Sequence, residues 1–234
     1  SDKVMLQQMM DEATVGCYGA ALNFGGIMFT IFTALNNSWC PFFFEDMKQD
    51  NRENLREKAG NFLELFTVLS VGFVLLASEV YRYVYVSRDF WGSTMLIPIF
   101  VSSYYTNFLC TFPVNFEYYH KKTKVVSIVT IASSLINVGL NYLLILRIGM
   151  AGAAVATLIS HSLQLTLHYL YVRFALGGKE YPFPLKMWVG YAAVFAAVAV
   201  ASVAADGLWL ARWGLGAAIG LWELLRIRKR KVLI

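Results

Sequence analysis

The sequence predicts an all-α, polytopic membrane protein with about seven transmembrane helices. Seven apolar stretches of roughly 19 to 27 residues follow one another along the chain, and a helix needs about 20 residues to cross the hydrocarbon core. Composition agrees, because 58% of the residues are hydrophobic, 15% are charged and the mean hydropathy is +0.54. A soluble protein of this length would carry more charge and shorter apolar runs. The stretches are Thr14 to Asn37, Ala59 to Val84, Phe90 to Phe116, Val125 to Leu146, Met150 to Phe174, Leu185 to Ala205 and Gly207 to Leu225.

Positive charge alternates between the connections of these stretches. Most of the 20 Lys and Arg residues lie in every second connection and in the C-terminal tail. Because positively charged loops resist translocation, this side is expected to be cytoplasmic, with the N-terminus outside and the C-terminus inside. The net charge of +5 then reflects topology and attraction to the inner leaflet, and we expect no nucleic-acid partner.

The composition divides the chain into three regions. Residues 1–12 are charged and Met-rich and are expected to be an extracytoplasmic loop that follows a helix outside this sequence. Residues 13–175 hold five stretches with polar positions. Residues 176–234 are expected to form an accessory two-helix hairpin and a basic cytoplasmic tail, with Arg212 extending to the headgroup region. We therefore expect a fragment of a longer transporter; an independent seven-helix protein, such as a receptor, is the alternative.

Polar residues repeat on one helical face in four of the first five stretches. Their spacing of i, i+3/4 and i+7 aligns them along a helix. Lipid cannot satisfy such groups, so they are expected to face one another or a water-filled cavity. The positions are Asn23, Thr30, Thr33 and Asn37 in the first stretch, Ser103, Thr106, Cys110, Pro113 and Glu117 in the third, Thr130, Ser134, Asn137 and Asn141 in the fourth, and Thr157, His161, Gln164 and His168 in the fifth.

Several of these groups have two open interpretations. Glu64, in the second stretch, either has a function or extends to the headgroups, since a carboxylate in the membrane is costly unless paired or hydrated. His161 and His168 either relay protons or hydrogen-bond a neighbouring helix. Asn137 and Asn141 either line a cavity or hold helices together. The residues predicted to line a substrate cavity are Asn23, Thr30, Glu64, Thr106, Asn137, Asn141, His161 and Gln164.

Sequence motifs of enzymes and metal sites are missing from the chain. It contains no G-x-x-x-x-G-K-[ST] loop, no H-E-x-x-H and no Asp-x-Asp. Cys17, Cys40 and Cys110 have no short spacing and predict neither a disulfide framework nor a metal site. We therefore expect no enzymatic activity, no cofactor and no metal, so that an ion gradient or a partner would drive any uphill transport.

Six short motifs occur together in residues 1–175. They are Ser1 to Leu6, Val15 to Tyr18, Trp39 to Phe42, Tyr119 to Thr123, Asn137-x-x-x-Asn141 followed by Tyr-Leu-Leu, and Gly149 to Thr157. In this combination the chain resembles the C-terminal half of bacterial polysaccharide or O-antigen flippases, in the multidrug, oligosaccharidyl-lipid and polysaccharide exporter superfamily. That family usually has Asp-Arg where this chain has Asp2-Lys3, and Ile where it has Cys17.

The resemblance implies helices eight to fourteen of a fourteen-helix protein, which form a MATE-like C-lobe plus two accessory helices. It implies flipping of an undecaprenyl-diphosphate-linked oligosaccharide across the bacterial cytoplasmic membrane for surface polysaccharide or lipopolysaccharide biosynthesis, by ion-coupled alternating access. The expected partners are this lipid-linked substrate, membrane lipids and the missing N-terminal lobe. Lys121 and Lys122, at the cytoplasmic rim, are the candidates for binding the diphosphate.

Two other functions stay open at this point. A multidrug or cation antiporter of the same superfamily would be favoured by a cavity dominated by acidic residues, whereas a neutral-to-cationic cavity would favour the flippase. A seven-helix receptor or an integral-membrane glycan enzyme would belong to a different class.

Overall fold

The computed structural model contains eight α-helices and one 3₁₀ segment among the residues that it describes. These are residues 2–85, 87–176, 180–204 and 207–230, without the side chains of 223, 224 and 226–230, so the predicted basic tail lies outside the described side chains. The elements are α1 (Asp2–Met9), α2 (Glu12–Lys48), α3 (Arg52–Val84), the 3₁₀ segment (Arg88–Leu96), α4 (Ile97–Tyr119), α5 (Thr123–Ile148), α6 (Met150–Phe174), α7 (Leu185–Ala204) and α8 (Trp209–Arg230).

Six helical stretches are long and apolar enough to cross a membrane. They are α2, α3, the 3₁₀ segment with α4, α5, α6 and α7. This confirms the predicted all-α, polytopic membrane bundle. The seventh predicted stretch forms α8, which has 22 residues but is not one of the six. Charged residues lower the hydropathy of this segment relative to the aliphatic α7; they are Arg212, Glu223, Arg226, Arg228, Lys229 and Arg230.

The N-terminal residues, predicted as a loop, form the short helix α1. Its Leu6 is fully buried, and α1 packs against α2, α5 and α6. Asp11 joins α1 to α2 as a helix cap, because its carboxylate accepts hydrogen bonds from the Thr14 backbone N–H at 2.8 Å and the Thr14 hydroxyl at 3.0 Å. These bonds lower the pKa of Asp11. The capped turn holds the first residues of the chain against the bundle.

An aromatic core joins α7 to α3 and α4. The rings of Tyr105 and Phe195 stack at a centroid distance of 4.4 Å, and those of Phe66 and Phe108 also lie 4.4 Å apart. Burying aromatic rings of this size against one another contributes strongly to packing. Through these rings, α7 packs against α3 and α4.

The helices α5 and α6 form a close hairpin joined by Gly149. This residue has φ 60° and ψ −141°, a backbone conformation that is open to glycine and strained for other residues. Three residues later, a Cβ atom on Gly152 would overlap the backbone carbonyl of Leu144. Two glycines thus set the turn and the close approach, and they place Asn141 of α5 beside Thr157 of α6.

A buried ion pair fixes α8 to α3. Arg212 is 4% exposed; its guanidinium lies 3.2 Å from the Glu79 carboxylate and donates to the Leu75 carbonyl oxygen at 2.9 Å. Trp213 also donates to Glu79, at 3.4 Å. The expectation that Arg212 extends to the headgroups is therefore wrong, because Glu79 and the Leu75 carbonyl offer it partners inside the bundle.

The Arg212–Glu79 pair gives a prediction about stability. Replacing Arg212 with Ala should destabilise the protein by about 2–3 kcal/mol, since Glu79 would lose its cation while largely buried. Thermal unfolding in detergent, followed by tryptophan fluorescence, measures this change. Arg147→Ala, at an exposed position at the end of α5, is the control and should change little. Equal shifts for the two variants would contradict a specific role of the pair.

Candidate functional site

Polar side chains of α1, α5 and α6 line an open cavity of about 510 Å³. We call it the polar cavity. Three residues predicted to line a substrate cavity, Asn137, His161 and Gln164, lie in its wall. The other polar lining residues are Asp2, Lys3, Ser133, Ser134, Thr157 and Ser160.

Asp2 is the centre of the hydrogen bonds at this cavity. Its Oδ1 accepts from the Asn141 amide at 2.8 Å. Its Oδ2 accepts from the hydroxyls of Thr157 at 2.8 Å and Tyr18 at 3.1 Å. Bonds to an ionised acceptor are stronger than those between neutral groups. One carboxylate therefore connects α1 to α2, α5 and α6.

Asn141 is fully buried behind the cavity wall. Besides Asp2, its amide donates to Asn137 Oδ1 at 3.1 Å, and within the described residues its own Oδ1 has no hydrogen-bond partner. Thr157 Oγ1 lies 3.2 Å from the Ala153 carbonyl oxygen. We name Asp2, Tyr18, Asn137, Asn141, Thr157 and the Ala153 carbonyl group the Asp2 cluster.

The Asp2 cluster presents oxygen atoms of carboxylate, amide, hydroxyl and carbonyl groups. Hard cations prefer such ligands, and a carboxylate can also bind a proton. The described residues contain no group of three or more His, Cys, Asp or Glu side chains that could hold a metal ion.

Besides Asp2 and Lys3, the polar side chains of the polar cavity are hydroxyl, amide and imidazole groups, and Leu22 and Val138 complete its wall. His161 Nδ1 lies 3.1 Å from the Ser103 carbonyl oxygen of α4, so this histidine does bond a neighbouring helix. Gln164 donates to the Thr130 hydroxyl at 3.4 Å. Asp2 and Lys3 carry opposite charges, which leaves the lining close to neutral. Such a surface can hydrogen-bond hydroxyl groups without selecting a charged ligand.

A second open cavity, of about 540 Å³, adjoins the other side of Lys3. Asn23 lies in its wall, together with Gln7, Glu12 and Tyr85. Asn23 is exposed there. The two cavities share Lys3, so α1 separates them.

The structure does not bring Thr30, Glu64 and Thr106 into the polar cavity. Thr30 and Thr106 donate to carbonyl oxygens of their own helices, at 3.3 Å and 2.9 Å. Glu64 is 6% exposed and lines a separate groove of about 810 Å³ between α3, α7 and α8. The predicted cavity residues therefore do not converge on one site: Thr30 and Thr106 bond to their own helices, and α3 turns Glu64 toward α7 and α8.

Lys121 and Lys122 lie at the opposite end of the bundle from the Asp2 cluster. Both are exposed in the turn between α4 and α5. Asn141 comes 19 residues after Lys122, which corresponds to about 28 Å along α5. These lysines can meet a ligand at the membrane surface and not inside the polar cavity.

Comparisons with known proteins give one informative similarity. No family model matches the chain, and no solved structure matches it. An "Uncharacterized membrane protein" from Haemophilus influenzae is 26% identical over 139 residues, which cover 59% of this chain and 34% of the relative. The chain thus spans about a third of the length of the curated relative that it matches. Together with the six helices of membrane-spanning length, this similarity indicates a multi-pass integral membrane protein.

Proposed function

We propose that the protein belongs to a transporter that flips an undecaprenyl-diphosphate-linked oligosaccharide across the bacterial cytoplasmic membrane, for surface polysaccharide or lipopolysaccharide biosynthesis. The observation that carries this proposal is the polar cavity of about 510 Å³, placed between helices of membrane-spanning length. Lipid cannot satisfy its hydroxyl, amide and imidazole groups, whereas water and sugar hydroxyls can. The choice of a lipid-linked oligosaccharide as substrate comes from the family resemblance of the motifs in residues 1–175.

The charge of the polar cavity favours an oligosaccharide over a cationic drug. One carboxylate and one ammonium group lie in its wall, and the carboxylate of Asp2 already accepts three hydrogen bonds. A site for a cationic drug would present acidic groups in excess of basic ones. The remaining polar lining groups match the donors and acceptors of sugars.

The groove beside Glu64 suits the lipid part of such a substrate. Its wall is mostly apolar, with Val68, Val71 and Val194 among its residues. Arg56 and Lys186 lie at the same groove and are exposed, so they can meet a diphosphate there. An apolar surface next to cationic groups matches an isoprenoid diphosphate.

The proposed transporter also needs a coupling ion, a defined orientation in the membrane and a second lobe. The oxygen atoms of the Asp2 cluster are suited to a coupling cation or proton, and no chemical conversion of the substrate is involved. The alternation of Lys and Arg supports a cytoplasmic C-terminus and an outside N-terminus. An N-terminal lobe of the same protein would supply the facing wall of the cavity.

Filling the polar cavity tests the proposal. The full-length gene is expressed in a strain that lacks its flippase, and surface polysaccharide is measured. Ser134→Trp should reduce export at least about tenfold, because an indole would occupy the cavity where the substrate needs room.

Ser127→Trp is the matched control. Both serines are exposed on α5 and donate to the carbonyl oxygen four residues earlier, but Ser127 is not in the cavity wall. It should support normal export at equal protein level in the membrane. Equal export by the two variants would contradict passage through this cavity. Restored resistance to cationic drugs, without restored polysaccharide, would favour the antiporter.

A further inference from the structure

A buried acid–base pair joins α4 to α6, apart from the polar cavity. Glu117 Oε1 lies 2.8 Å from His168 Nδ1. Both side chains are 0% exposed. Neither residue lines the polar cavity, and each lies within the last two turns of its helix. The pair therefore sits where α4 and α6 end on the same side of the bundle.

The surroundings of this pair are apolar and aromatic. Among the described residues, Glu117 Oε2 and His168 Nε2 have no hydrogen-bond partner, and neither has the hydroxyl of the buried Tyr181. Tyr181 lies within electrostatic range of Glu117, Cys110 and Tyr169. Three polar atoms of buried side chains thus share a region from which solvent is excluded.

Titratable groups from several elements face this region. They are Cys110 from α4, His120 at the C-terminal end of α4, Tyr169 from α6 and Tyr181 from the segment before α7, and the His120 ring packs on Phe116, which in turn contacts Tyr181. In addition, α2 brings Cys40 to Asn115 and α7 brings Trp188 to Tyr181. The charged side chains at the nearby helix ends, Lys121, Lys122 and Arg173, are exposed to solvent. Among the described residues, Glu117 and His168 form an ion pair only with each other, so the charge on the pair is balanced within the pair.

The net charge of the Glu117–His168 pair is zero only if the pair holds one proton. A carboxylate beside a neutral imidazole would leave one negative charge buried, and an imidazolium beside a protonated carboxyl would leave one positive charge buried, both at high cost. One shared proton leaves the pair neutral overall, as carboxyl with imidazole or as carboxylate with imidazolium. The 2.8 Å distance fits both arrangements.

We propose that Glu117 and His168 form a proton-binding site, which holds one proton while the ends of α4 and α6 are packed together and exchanges it with water when they separate. Nothing about this site depends on the transported substrate. If the protein is the proposed transporter, the site links proton release to opening at this end of the bundle, and that consequence rests on the proposed function.

Rising pH favours separation of the two helix ends, because separation releases the proton of the pair. A hydrated carboxyl group loses its proton near about pH 4.3 and a hydrated imidazole near about pH 6.5. Above about pH 6.5 the separated pair holds no proton while the packed pair holds one, so separation releases a proton. Separation then becomes about tenfold more favourable for each unit of rising pH.

Hydrogen exchange of the full-length protein in lipid nanodiscs, without substrate, tests this inference. The protection factors of amides in the last two turns of α4 and α6, corrected for the intrinsic pH dependence of exchange, should fall about tenfold per pH unit above about pH 6.5. Amides in the middle of α2 should show no such trend. Protection at α4 and α6 that does not change with pH would overturn the proposal.

Two single substitutions separate the roles of the partners. Glu117→Gln leaves an amide and a neutral imidazole with no proton to share, so protection should become independent of pH above about 6.5. His168→Gln leaves a carboxyl group that must keep its proton to stay neutral, so the tenfold slope should persist and extend down toward about pH 4.3. An unchanged profile in Glu117→Gln would refute the site. If the unsubstituted protein fails to restore polysaccharide export while all three pH profiles are as expected, only the proposed function is contradicted.

Discussion

Asp2→Asn is expected to reduce polysaccharide export by about tenfold to a hundredfold, without preventing insertion into the membrane. Hydrogen bonds to a charged group contribute about 1.5–3 kcal/mol, against about 1 kcal/mol between neutral groups. The substitution removes the charge that Asn141, Thr157 and Tyr18 all bind, and it turns one acceptor into a donor. Export by the complemented flippase-deficient strain measures the effect at matched protein level.

Controls for this prediction come from the same chain. Asp50→Asn alters a carboxylate that pairs with Arg52 at the surface, and it should leave export unchanged. Thr157→Ala removes a single bond to Asp2 and should reduce export less than Asp2→Asn does. Thr166→Ala, on an exposed face of α6, should have no effect, although its hydroxyl also donates to its own helix. A similar loss of export in Thr166→Ala and Thr157→Ala would show that the Asp2 cluster has no special role.

Gly152→Ala is expected to destabilise the protein by about 3 kcal/mol or more, the upper end for an overpacked interior. The added Cβ would overlap the Leu144 carbonyl, and the backbone atoms of a hydrogen-bonded helix cannot move aside as a side chain can. The yield of monodisperse protein in detergent and its unfolding temperature measure the effect.

Gly139→Ala is the control for this second prediction. No atom lies within 4 Å of a Cβ added there, on the neighbouring helix α5. Since Ala favours a helix over Gly by about 1 kcal/mol, this variant should be as stable as the original protein or more so. Unfolding of Gly152→Ala at the temperature of Gly139→Ala would contradict the close approach of α5 and α6.

The spanning helices could be predicted from sequence because they depend on length and hydropathy alone. The stretch Met150 to Phe174 coincides with α6, and the other ends differ mainly where helices extend beyond the apolar part. For example, α2 continues to Lys48 and α3 begins at Arg52, because charged residues continue a helix readily outside the hydrocarbon. In these segments, helix propensity and hydrophobicity both predict a helix.

The candidate site was only partly predictable. Asn137, His161 and Gln164 share the spacing of one helical face, so periodicity identified them. Asp2 and Lys3 reach the site through the path of α1, which is a tertiary contact that periodicity does not encode. Tyr18 was missed for the same reason.

The position of a charged residue along its helix does not identify the group with which it pairs. The position of Arg212 near a helix end suggested contact with headgroups, whereas its partner is Glu79 on another helix. Sequence reasoning places Glu64 among the cavity residues because residue spacing does not give the rotation of α3 about its own axis. Packing determines that rotation and turns Glu64 toward the separate groove.

The single-residue connection at Gly149 restricts how this molecule can change shape. With no slack between them, α5 and α6 cannot slide past each other by a helical turn without losing the bond from the Gly149 N–H to the Ile145 carbonyl. The two helices must travel as a unit, carrying Asn141 and Thr157 with them. A conformational change at this end of the protein would therefore alter the contacts of α1 with the hairpin and leave the packing of α5 against α6 unchanged.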